Sequence, residues 1–379
     1  MRQLLRNIAE ISAGQGAPQG DSNYCDYGIP FVKAGNLQEL TAGGSISDIQ
    51  KVSDEVAKTH KLKLYPKGTV LFAKSGMSCL KGYVYVLPQD AYVVSHLACI
   101  TPNEDISEFL RLYFTYHKPN QLIKDASYPS ISLTDIGALE IDIKDALVRE
   151  QIISALKSVE EVIALRKNEL QKLDDLIKAR FVELFEDGES PLKTVEELCS
   201  AIVDCPHTTP RYEGELKNPA IRTSEIKKGY ITWDSMRYVS DEEYEERIAR
   251  LQPEAGDIVY GREGTFGNAA ILPEGYRFCL GQRVMLLRPD YTKCNSEYLL
   301  HAVISDDVYR QAVGKNNAST VAHVNVKDVK QFKIPLPSFE KQNRFADFVK
   351  QVDKSKVVIH KSLNAAQLLF DRLMQEYFE

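Results

Sequence analysis

The sequence predicts an α+β protein with a pseudo-twofold internal repeat, in which two strand-rich domains are separated by two long antiparallel coiled-coil helices. Three observations predict it. Residues 131–184 return without a gap at 324–377, so that Ile131, Leu133, Asp135, Ile136, Ile141 and Ile143 fall on Val324, Val326, Asp328, Val329, Ile334 and Leu336. Self-similarity at a fixed spacing is the mark of a duplicated architecture. Each copy closes on a run whose apolar residues step by 4,3,4,3, the pattern of a coiled-coil seam. Ahead of each run lie short β-branched and aromatic stretches broken by Gly and Pro, which read as strands.

The first segment, residues 1–145, holds the strand-like runs Ile29-Pro-Phe-Val, Thr69-Val-Leu-Phe-Ala, Gly82-Tyr-Val-Tyr-Val-Leu and Tyr92-Val-Val. Its clearest helix is Ser107-Glu-Phe-Leu-Arg-Leu-Tyr-Phe, with Ser107 or Asp105 as its cap. The second segment, 146–190, is a long helix with its seam at Ile152, Leu156, Val159, Ile163, Leu170, Leu173, Ile177 and Leu184, completed by Arg166 and Arg180. Glu186-Asp-Gly188-Glu-Ser-Pro191 stops it. The third, 191–337, repeats the strand-rich pattern: Ala255-Gly-Asp-Ile-Val-Tyr-Gly-Arg262 mirrors Lys67-Gly-Thr-Val-Leu-Phe-Ala-Lys74, and Ser296-Glu-Tyr-Leu-Leu mirrors Ser107-Glu-Phe-Leu-Arg. The fourth, 338–379, is the second helix, capped by Ser338. Its seam runs through Phe345, Val349, Val352, Ile359, Leu363, Phe370, Leu373 and Tyr377, with Lys356 and Ala366 between. The polar seam positions of the two helices do not coincide, a device that fixes register and partner choice.

Composition narrows the class. A chain of 379 residues holds about two to three domains. Its 44% apolar and 26% charged content is that of a soluble globular protein, and no apolar run approaches the length of about 20 residues that spans a bilayer. The N-terminus has no signal-peptide core, so the expected compartment is the cytoplasm. Seven scattered cysteines without a Cys-x-x-Cys read as reduced, mostly buried thiols. Cys205-Pro-His207 has no second half with ligand spacing, so no metal is expected. The net charge of −6 argues against a surface that binds nucleic acid everywhere. The charge is uneven, however: residues 51–81 carry seven lysines against Asp54 and Glu55.

Catalytic signatures are missing. Gly261-x-x-Gly-x-x-Gly267 lacks the Gly-Lys-Ser/Thr of a phosphate loop, and no Asn/Asp-Pro-Pro-Tyr/Phe motif for adenine methylation is present. Asp241-Glu-Glu-Tyr-Glu-Glu246 reads as a solvated helix face without a partner cluster, and lone histidines such as His301 read as structural.

Several motifs in order, twice, resemble a known family. Pro30-Phe-Val-Lys-Ala-Gly-Asn36, Phe72-Ala-Lys-Ser-Gly-Met77 and Ser127-Tyr-Pro-Ser-Ile131 resemble one branch of recognition domain. Val203-Asp-Cys-Pro-His-Thr-Thr-Pro210, Gly261-Arg-Glu-Gly-Thr-Phe-Gly267, Leu280-Gly-Gln-Arg283 and Ser319-Thr-Val-Ala-His-Val-Asn325 resemble another. The whole chain is similar to the specificity subunit of type I restriction-modification systems. That resemblance implies two target-recognition domains, 1–145 and 191–337, each reading one half of a bipartite asymmetric site on double-stranded DNA. It implies two conserved helices that set the spacer and dock two methyltransferase subunits, with a motor-endonuclease subunit joining them. It implies no catalysis and no cofactor on this chain, S-adenosylmethionine, ATP and Mg belonging to the partners. The alternative reading is a coiled-coil scaffold with two protein-binding domains.

Base edges need paired donors and acceptors, and phosphates need cations and small hydroxyls. Side chains of those kinds near Gly-flanked turns are the candidates. In the first domain they are Lys33, Lys74, Ser75, Lys81, His96, Ser127, Tyr128 and Ser130. In the second they are His207, Thr208, Arg211, Arg222, Arg262, Gln282, Arg283, Asn316, Asn317 and Ser319. Lys74 and Arg262 stand out, each following a strand at the same place in the repeat and lying just ahead of a Gly.

Overall fold

A computed structural model describes residues 2–185, 190–213, 217–263, 267–314 and 324–379. The chain divides into two compact units, Met1–Leu165 with Leu363–Glu379, and Arg166–Ser362. These units cut across the linear segments, because each takes one strand-rich domain and a stretch of both long helices.

In the first unit a four-stranded antiparallel sheet runs in the order Ala9–Ala13, Leu97–Pro102, Val70–Ala73, Val84–Val86. Val70–Ala73 is buried along its length, which suits its unbroken apolar run. A second sheet runs Lys51–Val52, Ile29–Val32, Ala91–Val93, Leu64–Tyr65, with Ile29–Val32 and Ala91–Val93 parallel. Arg2–Leu4 pairs with Glu140–Asp142. The second unit repeats this: Cys199–Asp204, Val284–Pro289, Ile258–Gly261 and Ala269–Ile271 form the first sheet. In its second sheet Arg237–Val239, Asn218–Ile221 and Cys279–Leu280 hold the same order, again with a parallel pair. The copies part at the fourth strand. Leu64–Tyr65 adds beside the parallel pair in the first unit, and Tyr212–Glu213 adds at the opposite edge in the second.

The helix Ser107–Tyr116 forms as expected, but neither Ser107 nor Asp105 caps it; Ile106 holds the cap position without a side-chain bond. Its counterpart Ser296–Val303 is capped by Asn295, whose side chain accepts from the Tyr298 N–H. Ser296 instead donates to Gly256 O at 2.7 Å. The Asp241–Ile248 helix keeps Asp241, Glu242, Glu245 and Glu246 on an exposed face as expected, and departs from expectation at Glu243 and in the partners it finds. Glu243 is buried and bonded to Arg211 and Arg247, and Arg277 pairs with Asp241 and Glu245. Asp241, Glu243, Glu245 and Glu246 thus have partners, supplied by Arg211 and Arg277 from elsewhere in the chain and by Arg247 one turn on in the same helix.

The long helices span Ala146–Phe185 and Phe339–Phe378; residues 186–189 of the expected stop lie outside the described residues. Ser338 caps the second, accepting from the Lys341 N–H at 3.4 Å. Every seam position of both helices is buried or half-buried. Within the second unit the helices run antiparallel: Arg166 Nε donates to Ser362 Oγ at 3.2 Å, Lys356 pairs with Asp174 at 2.6 Å, and Phe181 meets Phe345. The polar seam residues thus find partners across the seam, which ties their positions to one register.

Beyond the seam, both helices end in an aromatic plug. Phe185 packs against Tyr298 at 5.0 Å in the second unit. In the first, Phe378 packs against Phe109 at 5.4 Å, and its carbonyl bonds to the His117 ring at 2.9 Å. These are matched positions of the repeat, each joining a long helix to its unit's domain core.

The helix that receives the plug differs in charge between the copies. Arg111 bridges Glu108 and Glu160 at 2.6 and 2.7 Å. In the second unit the position matching Arg111 is Leu300, and Glu297, the match of Glu108, faces Asp353 and Lys356 instead. Burial raises the Glu297 carboxyl from 4.5 to about 7, Asp353 adding to the rise and Lys356 opposing it. A carboxyl raised on folding contributes stability that is complete below pH 4.5 and lost as pH rises through about 7. Nearby His301, held down to about 4 first by burial, acts oppositely and weakens the fold as pH falls below 6.5. Glu297→Gln is therefore expected to raise the melting temperature relative to wild type by an amount that grows between pH 5 and pH 8. A constant difference across that range would remove Glu297 as the cause.

Candidate nucleic-acid interface

Equivalent strand ends gather the candidates of each domain. In the first, Val70–Ala73 delivers Lys74, whose backbone N–H donates to His96 O at 2.9 Å and whose carbonyl accepts from the Ile131 N–H at 2.7 Å. Ser75 Oγ and His96 Nδ1 share a bond of 2.8 Å, and Ser75 bridges to Ser130. Lys74, Ser75, His96 and Ser130 are thus brought together. Lys74 is half-buried, whereas His96, Ser130, Ser127 and Tyr128 are exposed. Lys81 closes the short turn Met77–Lys81 and is exposed. Met77 and Tyr128, 71% and 82% exposed, flank the Gly76–Pro129 backbone bond. Lys33 lies at the end of Ile29–Val32, with its ammonium 4.0 Å from the Tyr24 ring centroid and 2.7 Å from Gln50 Oε1.

The second domain repeats the backbone and changes the side chains. The Arg262 N–H donates to Arg283 O at 3.0 Å, and Arg262 O accepts from the Val324 N–H at 3.0 Å. Arg283 and Glu263 form an ion pair at 2.8 Å where the first domain has His96 and Ser75. Arg283 has a left-handed backbone, φ 65°, a sparsely occupied region for a residue with a side chain and common at functional sites. Gly281 precedes it where the chain crosses Ile221; a Cβ there would lie 2.6 Å from Ile221 O. Gln282 Nε2 donates to Thr209 Oγ1 at 2.9 Å, which joins the Gln282–Arg283 turn to the exposed His207–Thr208 loop. Arg222, the match of Lys33, is held by the fully buried Glu225.

The match of Lys74 and Arg262 extends only to the backbone. The Arg262 side chain is 7% exposed and pairs with Asp204 at 2.7 Å, and its Nε is buried with no hydrogen-bond partner among the described residues. Arg211 is also engaged, by Glu243 and Glu246. Asn316, Asn317 and Ser319 lie outside the described residues. Residues that sequence reasoning passed over are Asp204, Thr209 and Glu263. All three stand inside motifs already noted, but only the fold places Asp204 against Arg262, Thr209 against Gln282 and Glu263 against Arg283. Among the described residues no cluster of His, Cys, Asp and Glu could hold a metal ion.

The type I restriction modification DNA specificity domain matches residues 4–175 and 212–366. The chain belongs to that family. It is 26% identical over 188 residues to the type I restriction enzyme MjaIX specificity subunit of Methanocaldococcus jannaschii, a match covering 47% of this chain and 42% of that protein. It is likewise 26% identical over 156 residues to the EcoBI specificity subunit of Escherichia coli, covering 41% and 32%. The chain thus matches less than half the length of these curated relatives. The S subunit of a type I restriction-modification system from M. genitalium shares its fold over 100% of this chain and 96% of that one, with a TM-score of 0.56 and 14% identity. The specificity-domain family therefore matches both halves of the chain; the first cluster lies inside the first match and Arg262, Gln282 and Arg283 inside the second, while His207, Thr208 and Thr209 precede it.

Proposed function

We propose that this chain is the non-catalytic, DNA-sequence-specificity subunit of a type I restriction-modification complex. Each domain reads one half of a bipartite asymmetric site, and the antiparallel helices set the unread spacer and dock two methyltransferase subunits. One observation carries this reading: the same backbone junction, where a strand end meets two loops, displays Ser75 and His96 in one copy and Gln282 and Arg283 in the other. One scaffold with two sets of donors and acceptors suits the reading of two different half-sites. Lys33 and Lys81 supply phosphate contacts in the first domain, Lys74 contacts the half-site beside Ser75 and His96, and Arg283, rather than the buried Arg262, supplies the cation in the second. S-adenosylmethionine, ATP and Mg are bound by the partner subunits, and the complex works in the cytoplasm. No helix among the described residues is long and apolar enough to cross a membrane.

The seam from Ile152 to Leu184 is about 50 Å long at 1.5 Å per residue, and successive major grooves on one face of DNA lie about 34–36 Å apart. A random duplex pool presented to the chain with its methyltransferase partner is expected to yield a split motif. Inserting one heptad into each helix is expected to lengthen the spacer and leave both half-sites intact. A single continuous motif, or enrichment of nothing, would refute the function, and an unchanged spacer would refute the ruler. A scaffold whose domains bind protein predicts no enrichment.

A further inference from the structure

We propose that Arg247 is a positioning residue for the second domain, holding the two loops that carry Thr208 and Gln282 at a fixed separation. The inference rests on the DNA-reading function proposed above. Arg247 lies on the Asp241–Ile248 helix, away from the exposed donors, with its side chain 2% exposed. Its Nε donates to Glu243 Oε1 at 2.8 Å, and its two terminal nitrogens donate to Leu280 O at 2.9 Å and Thr208 O at 2.7 Å. One rigid guanidinium fork therefore grips both segments from inside, while Gln282 and Thr209 join them at the surface. A lysine in its place has a single charged head and cannot span both carbonyls.

Glu243 neutralises the fork and also accepts from Arg211 at 2.6 Å. A buried ion pair is seldom a gain in stability over an apolar pair of the same volume. Its contribution here is geometric, since it fixes where two carbonyls lie.

The first domain makes the same tie with opposite chemistry. Its Asp54–Thr59 helix is capped by Ser53 as Asp241–Ile248 is capped by Ser240. There the loop reaches to the helix end: Gln15 Nε2 donates to Lys61 O at 3.1 Å, and its Oε1 accepts from the Lys63 N–H. In one copy a loop side chain binds the backbone beyond the helix, and in the other a helix side chain binds the loop backbone. The tie is common to both copies and its chemistry is not.

The experiment enriches a random duplex pool with the full chain assembled with its methyltransferase subunit. Arg247→Lys keeps a cation against Glu243 and is expected to lower discrimination in the second half-site by about tenfold, the scale of one displaced charged hydrogen bond. The first half-site should be unchanged, and the thermal unfolding of the unit that holds Arg247 should keep its wild-type midpoint, so that a one-sided loss accompanied by an unfolded second domain would overturn the positioning role. Arg247→Met combined with Glu243→Gln leaves no buried charge unpaired and should give the same one-sided loss. Arg250→Lys, three residues on and exposed, should change nothing. Both half-sites unchanged, or both weakened alike, in the Arg247 variants would overturn the positioning role. A wild-type chain that enriches no split motif would instead overturn the underlying function.

Discussion

Phe185→Ala is expected to lower the stability of its unit by about 3–5 kcal/mol, the range for truncating a buried phenylalanine. The ring is 1% exposed and meets Phe181, Tyr298 and Phe345 at 4.9, 5.0 and 5.4 Å. It sits where a long helix enters the domain core, so its loss leaves a cavity among aromatic rings that cannot close without moving the helix. Phe378→Ala, at the matching place, is expected to cost about 2–3 kcal/mol, toward the lower end for large-to-small changes. Its ring is 9% exposed, and its neighbours Phe109, Tyr113 and Tyr116 lie at 5.4, 6.3 and 6.3 Å. Urea unfolding followed by far-UV circular dichroism measures both. A loss below about 1 kcal/mol for Phe185→Ala would mean that the site collapses freely and that the plug is not an anchor.

Arg262→Ala and Lys74→Ala are expected to fail in different ways despite their equivalent backbone positions. Arg262 pairs with Asp204, whose side chain is 17% exposed, so removing the arginine takes the cation from a largely buried carboxylate and leaves it the Cys205 N–H at 3.0 Å and the exposed His207 ring at 3.6 Å. The expected cost is on the order of 3 kcal/mol of stability, with loss of the whole second half-site as the strand end and the His207 loop separate. Lys74 is half-buried and, among the described residues, pairs with no carboxylate. Lys74→Ala should leave the melting temperature unchanged and relax or weaken the first half-site alone, by about 1–3 kcal/mol if it reads a base. Uniform weakening over all sequences would assign it to phosphate. Unfolding curves and selection from a duplex pool separate these outcomes, and an Arg262→Ala chain as stable as wild type would contradict the structural role.

Much of the architecture was legible because it rests on local periodicity. The seams at Ile152–Leu184 and Phe345–Tyr377, the Val70–Ala73 and Ile258–Gly261 strands and the Ser338 cap follow from spacing and residue type within a few positions. The plugs were harder to see. Phe181, Phe185, Met374 and Phe378 stand off the 4,3 seam, and their burial comes from domain helices distant in sequence. The interface was legible as a set of turns but not as a set of roles. His96 and Ser75, or Arg283 and Glu263, come from separate strands, so their pairing carries no sequence signal. The same reason explains why the partners of Asp241–Glu246 went unseen: Arg211 and Arg277 reach the helix from other elements, while Arg247, one turn on in the same helix, turns inward onto Glu243.

The sequence by itself determined the duplication, the order of the four segments and the period of the helices, since these depend on contacts between near neighbours and on which residues avoid water. Tertiary structure decided which cations are free to meet a partner. Lys74 and Arg262 occupy one position of one repeat, yet Asp204 pairs with the buried second, and among the described residues no acid pairs with the first. A charge taken out of water must be paired, and its partner is chosen by the fold rather than by the spacing of the chain.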